Sequence, residues 1–482
     1  MRLFYPKACL AVLILASGKR ASAQASISEN TIVYSTDIAA PVADSNHVYT
    51  IRNISISGNR KTKPNIILRE IAFEINGVYP LEEIVKRFEK ARKQLMNTGL
   101  FQDVTVSLKS ISGYDMDVNI SVYEKWYIWP KPFFKSVDKS FQEWWSETDR
   151  SMERINYGIR LTHNNFTGRH DKLKLSLMNG YTKQASIQYY GLFLDNELKW
   201  STNLGVTFGK NREVNYMTMN NRQVPVKDDH DFLRSYFSWF AQVNYRPAIK
   251  TTHTFGVGYN YENLADTIYK LNPHFSEQPN LVRYSELFYR LSYFDVDFIP
   301  YPTKGFIGEF TLKRKGFNDP VNVWQFTAKL SKSWPVNKNY FFNLAAVGMV
   351  KLPFKQPYVT NQFIGYDDQY MQGYEYYVID GAAGGYTKAT LSRPLVNTFI
   401  RIPSQRFKCL NHIPFKLYAK TFVNAGYVYD ERPGQNELAN KIIYSGGIGL
   451  DIVTSTDFVI KIEWSFNRLG ENGLYLHRRN YF

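Results

Sequence analysis

The sequence predicts an all-β membrane protein, a transmembrane antiparallel β-barrel of about sixteen strands that follows one small α+β domain. The first observation is that Phe, Tyr and Trp make up 16% of the chain, because a membrane barrel needs two aromatic girdles. The second is the alternation of apolar and polar residues, which recurs in strand-length segments from about residue 154 onward. The third is a mean hydropathy of −0.36, with no apolar run beyond the N-terminus that reaches the ~18 residues of a membrane-spanning helix.

The first 23 residues predict a secretory signal peptide. Residues 9–16 form a short apolar core behind a basic start, and residues 21–23 offer small side chains for cleavage. After cleavage Cys409 is expected to be the one cysteine left, so no intramolecular disulfide stabilises the exported chain. Residues 24–46 are polar and unpatterned, and we expect them to form a linker.

Residues 47–125 predict a small domain with the order β-α-α-β-β. Its second helix, over residues 81–96, has the spacing of an amphipathic helix. The apolar residues that share one face are Leu81, Ile84, Val85, Phe88 and Leu95. Residues 51–71, 95–108 and 118–126 resemble a POTRA module. The resemblance implies a sheet whose exposed edge strand accepts an extended peptide by backbone pairing; the alternative is a structural spacer.

An aromatic segment follows the small domain. Trp126, Tyr127 and Trp129 lie beside two prolines, and amphipathic rings of this kind settle at the headgroup level of a membrane. We therefore predict that residues 126–150 form a hinge with these three residues as interface anchors. The alternative is an apolar cluster beneath the small domain.

Residues 151–482 predict the barrel. In its clearest strand, outward-facing apolar residues alternate with inward-facing residues that are mostly polar, as in lipid-embedded strands. The outward set is Phe458, Ile460, Ile462, Trp464 and Phe466, and the inward set is Val459, Lys461, Glu463 and Ser465. Such a sheet has to close, because hydrocarbon cannot satisfy an open edge. A soluble propeller or sandwich is the competing interpretation, which leaves the outward aromatic residues unexplained.

We expect the barrel to have a seam where its first and last strands meet. The residues predicted to form the two seam strands are Ile155, Tyr157, Ile159, Leu161, Leu474, Leu476 and Phe482. A weakly paired seam exposes backbone groups that can template an incoming strand. His477 is consistent with a weak seam and equally with a contact to a loop in the lumen.

Four barrel segments resemble the outer-membrane assembly and translocation superfamily of BamA, TamA and the two-partner secretion pores. They are residues 164–177, 294–306, 422–431 and 446–453. The resemblance implies a loop, at about residues 365–390, that folds back into the lumen. In the family its tip carries an Arg-Gly-aromatic core that meets an aspartate on the barrel wall.

In this sequence Gln372, Gly373 and Tyr374 occupy the tip, followed by Glu375, and Asn424 stands where the family has the aspartate. Both charges are therefore replaced by amides. The resemblance then implies a contact between Gln372 and Asn424, since an amide pair can hydrogen-bond without the cost of an unpaired buried charge. Chance drift without a contact is the alternative.

No catalytic or metal-binding constellation is evident, so we expect neither an enzyme nor a cofactor or metal. The eight His residues are scattered without ligand spacing. The net charge of +16 is spread through alternating strands, which favours an anionic lipid surface as partner over nucleic acid.

The resemblance implies a factor that inserts or translocates proteins at the outer membrane of a Gram-negative bacterium, with the POTRA-like domain in the periplasm. Its implied partners are outer-membrane lipids, unfolded outer-membrane or secreted proteins, and other assembly subunits. One POTRA-like module favours an accessory or specialised paralogue of BamA. The alternatives are a dedicated two-partner-type secretion pore and a passive channel without an assembly role.

Overall fold

The structure is a computed structural model that describes residues 47–136, 155–317, 321–366, 369–400, 413–454 and 459–478. The predicted signal peptide, the predicted linker and Phe482 lie outside these residues. Within the described ranges, no helix is both long enough and apolar enough to cross a membrane.

The small domain contains four strands and two helices. These are β1 (Val48–Ser57), α1 (Pro64–Arg69), β2 (Val78–Pro80), α2 (Leu81–Asn97), β3 (Phe101–Ser112) and β4 (Asp115–Glu124). The sheet order is β2-β1-β4-β3, with β1 parallel to β4. The predicted order β-α-α-β-β therefore gains one short strand, because the three residues before α2 pair with β1. At the other side of the sheet, β3 pairs with β4 alone among the described strands.

Local sequence explains the helices and the core of this domain. Proline opens α1, where its missing N–H costs nothing, and Gly99 follows α2 with a φ of 72° that favours glycine. The two helices and the sheet enclose a common apolar core. Its fully buried members include Ile51, Ile66, Ile67, Ala91, Leu95, Phe101, Val118 and Ile120. Full burial of each large aliphatic or aromatic side chain contributes roughly 1.5–3 kcal/mol.

In the part of the chain that the structure describes, sixteen strands form a single antiparallel sheet in which consecutive members are neighbours in space. The first eight are β5 (Ile128–Ser136), β6 (Ile155–Asn164), β7 (Lys172–Gly180), β8 (Thr182–Phe193), β9 (Trp200–Asn211), β12 (Arg234–Ala248), β13 (Thr251–Leu264) and β14 (Leu281–Val296). The others are β15 (Gly305–Lys315), β16 (Val323–Asn337), β17 (Tyr340–Leu352), β20 (Ala383–Ile400), β21 (Ile413–Tyr429), β22 (Ile442–Thr454), β23 (Val459–Asn467) and β24 (Asn472–Arg478). The predicted all-β barrel architecture and its strand number are confirmed.

The connections between strands differ at the two ends of the sheet. One rim carries the turns after β6, β8, β12 and β14. The opposite rim carries longer connections that contain the hairpins β10–β11 (residues 213–227) and β18–β19 (residues 362–380) and the helices α3 (Asp266–Leu271) and α4 (Tyr358–Asn361).

The two faces of the strands differ as the alternation predicts. On β23, Trp464 and Phe466 are about half exposed, whereas Glu463 and Ser465 are fully buried. The apolar face is therefore outward and the polar face lines the lumen.

The predicted hinge at residues 126–150 is wrong for its first part, because β5 is already the first strand of the sheet. Pro130 and Pro132 are unusual in a strand, and for this reason the sequence pattern does not predict β5. Proline cannot donate to a ladder and is found in sheets at edge strands, strand starts and bulges, and β5 pairs only with β6 among the described strands. The barrel therefore begins at residue 128 and not at residue 151.

Candidate functional site

The described sheet ends at β5 and β24. Because β6 pairs with β5 on one side and with β7 on the other, the prediction that β6 is the first seam strand is wrong by one strand. Ile155, Tyr157, Ile159 and Leu161 all lie on β6. Leu474 and Leu476 do lie on the terminal strand β24, where they are 73% and 71% exposed. The candidate seam is therefore β5 against β24.

The three predicted interface anchors have different surroundings. Trp126 and Trp129 are exposed, which keeps the membrane-anchor prediction open for them. Tyr127 instead packs against the core of the small domain, and its hydroxyl lies 3.1 Å from Thr62 Oγ1 and donates to the Leu100 carbonyl at 3.2 Å. Burial raises the pKa of Tyr127 to about 12. The anchor prediction is wrong for Tyr127, which joins the small domain to the barrel.

The lumen loop, residues 353–382, connects β17 to β20 and packs into the barrel. The predicted range of 365–390 ends too late, since residue 383 already belongs to β20. The loop and the wall share an apolar cluster. The buried loop residues in this cluster are Phe363, Ile364, Met371, Tyr374, Tyr377 and Ile379. The hydrophobic effect therefore holds most of the loop in place, and polar contacts orient its tip.

The tip of the lumen loop is shaped by Gly373, whose φ is 87°. A Cβ at this position would lie 3.1 Å from the Cβ of Ser445 on the wall, so a larger residue would add steric crowding to the strained φ. Tyr374 is fully buried beside it, and its hydroxyl donates to the Tyr444 carbonyl at 3.0 Å. Both residues therefore fix the tip against β22.

The predicted contact between Gln372 and Asn424 is wrong. Gln372 Nε2 donates to Glu463 Oε1 at 3.1 Å, and Asn424 Nδ2 donates to Ser445 Oγ at 3.0 Å. An ionised carboxylate is a stronger acceptor than a neutral amide, which explains why Gln372 donates to Glu463 and not to Asn424. Asn424 still supports the tip indirectly, because Ser445 lies between its side chain and Gly373.

Glu463 is the centre of a buried charge cluster on the lumen wall. Besides Gln372, it accepts from Lys420 Nζ at 2.5 Å and lies 2.5 Å from His477 Nδ1. Lys420 Nζ also lies 2.6 Å from an oxygen of Asp451. A lysine on the wall thus provides the cation that the family resemblance would place on the loop tip.

Gly449 makes this cluster possible. It is the direct register partner of Lys420 on one side and of Glu463 on the other. A Cβ there would lie 3.0 Å from Lys420 Cε and 3.2 Å from Glu463 Cγ. The absent side chain lets the two charges meet across the intervening strand β22.

His477 brings the cluster to the terminal strand β24. Its ring stacks on Tyr370 of the lumen loop with centroids 4.4 Å apart, and its Nε2 lies 3.5 Å from Glu375 Oε1. The lumen loop, the wall and one seam strand therefore meet at this histidine. The sequence predicts for His477 either a weak seam or a contact to a lumen loop, and the structure shows the loop contact. It does not predict the cluster, whose signal is the inward position of Glu463 beside other charged late strands.

The small domain is docked on the rim formed by the turns after β6, β8, β12 and β14. Glu70 is 2% exposed and accepts from Arg69 Nη2 at 2.8 Å and from Arg246 Nη2 of β12 at 2.9 Å. Burial alone would raise the pKa of Glu70, but the bonds and charges of Arg246 and Arg69 outweigh it and hold the pKa below its usual value. A buried ion pair therefore links the two domains.

Neutral contacts surround this ion pair. Asn97 at the end of α2 donates to the Val296 carbonyl at 3.1 Å and accepts from the Ile299 amide at 3.0 Å. Leu198, in the turn after β8, belongs to the apolar core of the small domain. The interface combines burial, hydrogen bonds and charge, which fixes the orientation of the small domain on the rim.

Two family models match this chain. Residues 49–125 match POTRA, surface antigen variable number repeat, and residues 156–466 match the Omp85 superfamily domain. Over 77 residues, the chain is 31% identical to the outer membrane protein assembly factor BamA of Neorickettsia risticii (strain Illinois). That match covers 16% of this chain and 10% of the relative, so it spans about a tenth of that protein.

Solved structures give a likeness of fold. CdiB from Escherichia coli is 10% identical with a TM-score of 0.50, over 90% of this chain and 74% of that one. BamA from Haemophilus ducreyi lacking POTRA domains 1–3 is 13% identical with a TM-score of 0.49, over 89% and 83%. The likeness to CdiB shows the fold alone.

Proposed function

The chain belongs to the Omp85 superfamily, and on this basis we propose that it inserts or translocates proteins at the outer membrane of a Gram-negative bacterium. Its POTRA domain would lie in the periplasm, and unfolded outer-membrane or secreted proteins would be its substrates. The observation that carries the proposal is the combination of two strand edges that have no partner among the described strands, one on the POTRA sheet and one at the barrel seam. We propose an accessory or specialised role beside other assembly subunits.

The POTRA edge suits the capture of extended segments. β3 is twelve residues long and pairs with β4 on one side only among the described strands. Backbone pairing to such an edge gives affinity with little dependence on sequence. Two register shifts along β3, near residues 101–103 and 108–110, divide the edge and limit pairing with another copy of the chain.

The seam is the place where captured strands would be processed. β24 presents its apolar residues outward, and it pairs with β23 on one side. Because His477 connects β24 to the lumen loop, the loop is positioned to influence how firmly β24 stays in the sheet. The docked POTRA domain holds its edge at a fixed place on the rim below.

Depletion of the protein tests the proposal as a whole. We expect broad loss of outer-membrane barrels, measured by quantitative proteomics of the outer membrane. Loss of a single secreted protein would favour the dedicated secretion pore, and an unchanged proteome with altered solute permeability would favour the passive channel.

A photo-crosslinking amino acid on the POTRA edge tests substrate capture. Placed at Thr105, which is exposed on β3, it is expected to trap unfolded substrate several-fold more than the same probe at Lys86, which is exposed on α2. The two positions share one domain and differ in whether a free strand edge is present. Equal yields at both positions would contradict capture by the edge.

Locking the seam tests lateral opening. Cysteines paired between residues 129–134 and residues 472–477, in a Cys409→Ser background, are expected to abolish substrate insertion until a reductant is added. The matched control locks Leu177→Cys to Ala185→Cys, which are already direct partners in the β7–β8 ladder. Insertion that survives a formed seam lock would remove lateral opening from the mechanism.

A further inference from the structure

Three cations gather around one aromatic ring at the rim opposite the POTRA domain. Lys183 Nζ, Lys210 Nζ and the Arg212 guanidinium carbon lie 5.5, 5.8 and 5.1 Å from the centre of the Phe232 ring. We call these four residues the basic rim patch. Lys183 and Lys210 are exposed, and Phe232 is half-buried between them. Cation–π contact offsets part of the repulsion among the three charges.

The basic rim patch carries an excess of positive charge, since Arg212 interacts electrostatically with Asp228 but the two lysines have no carboxylate partner among the described residues. Lys183 and Lys210 are direct cross-strand partners, an arrangement that destabilises a sheet when the charges are alike. Within the described ranges neither lysine forms an ion pair with a carboxylate, and Arg212 Nε is buried without a hydrogen-bond partner. The nearby Asp228 is turned to its own loop, where it accepts from the backbone amides of residues 230 and 231 at 2.8 Å. An external anion would satisfy these groups.

An apolar groove adjoins the patch on the outward face of the sheet. The groove has a volume of about 750 Å³, and its floor is formed by side chains that face the surrounding membrane. The principal ones are Ile159, Leu177, Ala185, Phe208, Phe237 and Tyr261. Phe208 and Phe237 stack with centroids 5.6 Å apart. The groove thus joins a row of cations at the rim to an apolar surface at membrane depth.

We infer that the patch and the groove bind a lipid with a phosphorylated headgroup in the membrane leaflet on this rim. The phosphate would lie among Lys183, Lys210 and Arg212, since guanidinium and ammonium groups bind phosphate by charge-assisted hydrogen bonds. The acyl chains would cover the groove. A soluble acidic peptide would satisfy the cations but would leave the apolar groove without a ligand.

A binding titration tests this site on the full chain. Delipidated protein in detergent is titrated with diphosphorylated lipid A, and the bound lipid is counted by native mass spectrometry. Replacing all three cations, K183Q with K210Q and R212Q, is expected to weaken retention about tenfold or more, because the phosphate loses its charge-assisted hydrogen bonds. The single variant K210Q should show a smaller loss in the same direction.

The control removes equal charge from the same rim outside the patch. Lys355, Arg432 and Lys441 are exposed there, and their replacement by glutamine should leave retention unchanged. Heat-modified gel mobility checks that every variant is folded. Retention by the triple patch variant equal to that of the unmodified chain would overturn the site. If inorganic pyrophosphate at the same concentration displaces all of the bound lipid A, the patch is a simple anion site and the lipid proposal is overturned.

Discussion

Replacing Glu463 with glutamine is expected to loosen the lumen loop and to lower the free energy of unfolding of the barrel by about 3 kcal/mol. Glu463 is fully buried and is the shared partner of Lys420, His477 and Gln372. Loss of its charge leaves Lys420 buried with Asp451 alone. The expected loss lies at the lower end of the cost of breaking a buried ion pair, because one carboxylate still neutralises Lys420.

Guanidinium unfolding of the detergent-solubilised protein measures this change, and protease cleavage within residues 353–382 reports whether the loop is released. The control is Glu309→Gln, a more exposed barrel carboxylate whose Oε1 lies 3.9 Å from Arg290 Nε, for which less than about 1 kcal/mol is expected. Similar losses for both variants would show that the cluster is an ordinary ion pair. A double change, Glu463→Gln with Lys420→Met, should lose more stability than Glu463→Gln alone, because it also leaves the buried Asp451 carboxylate without its lysine partner.

The sequence could predict which face of each late strand is charged but not which charges meet. Alternation placed Lys461 and Glu463 inward. The partner of Glu463, however, lies two strands away and reaches it over Gly449. That contact depends on register across three strands and on one missing side chain, neither of which is visible in a single strand. The expected contact between Gln372 and Asn424 is wrong for the same reason: the actual partner of Gln372 is Glu463, and that contact also depends on the register of neighbouring strands.

The start of the barrel shows a second limit on what the sequence can predict. Sequence patterns detect strands through alternation and β-propensity, and Pro130 and Pro132 make β5 look like a joint. Whether a strand can contain proline depends on whether the position lies at an edge or a bulge, which is a property of the whole sheet. The small domain was easier, because the helix over residues 81–97 and the strands beside it have strong local patterns. Its core extends into Leu198 of a barrel turn, which local patterns cannot show.

These two limits on prediction from sequence matter for function, because both concern strands of the seam. The prolines of β5 make the first seam strand hard to recognise in the sequence. On the last seam strand, β24, the role of His477 becomes visible only through its contacts with Tyr370 and Glu375 of the lumen loop. The two edges proposed for substrate handling, which have no partner among the described strands, differ in what holds them in place. The POTRA edge stands on a well-packed core, whereas the seam strand β24 depends on contacts with the loop. We therefore expect the seam edge to vary more in its backbone conformation than the POTRA edge does.

The second large effect is expected at the link between the two domains. Arg246→Gln should leave Glu70 as a buried carboxylate with Arg69 as its remaining partner, at a cost of about 3 kcal/mol to docking. Hydrogen exchange of the backbone amides of α1 (Pro64–Arg69) measures the change, since release of the POTRA domain exposes this helix. Glu70→Gln should produce a comparable loss, and the double variant should lose less than the sum of the two. The control is Arg52→Gln, which breaks an exposed ion pair with Asp117 in the same domain and should leave docking intact.

The pH dependence of docking follows from the lowered pKa of Glu70. A carboxylate whose pKa is lower in the folded protein than in the unfolded chain stabilises the fold fully above the unfolded value, and that stabilisation is lost as the pH falls toward the folded value. Docking should therefore be constant near neutral pH and should weaken below the ordinary pKa of glutamate, about 4.3. Exchange in α1, measured as protection factors to remove the intrinsic effect of pH, should rise in that range for the unmodified chain. The same range should leave Glu70→Gln unchanged, because the variant has no carboxylate to protonate there; an equal rise in both would place the pH dependence elsewhere in the interface.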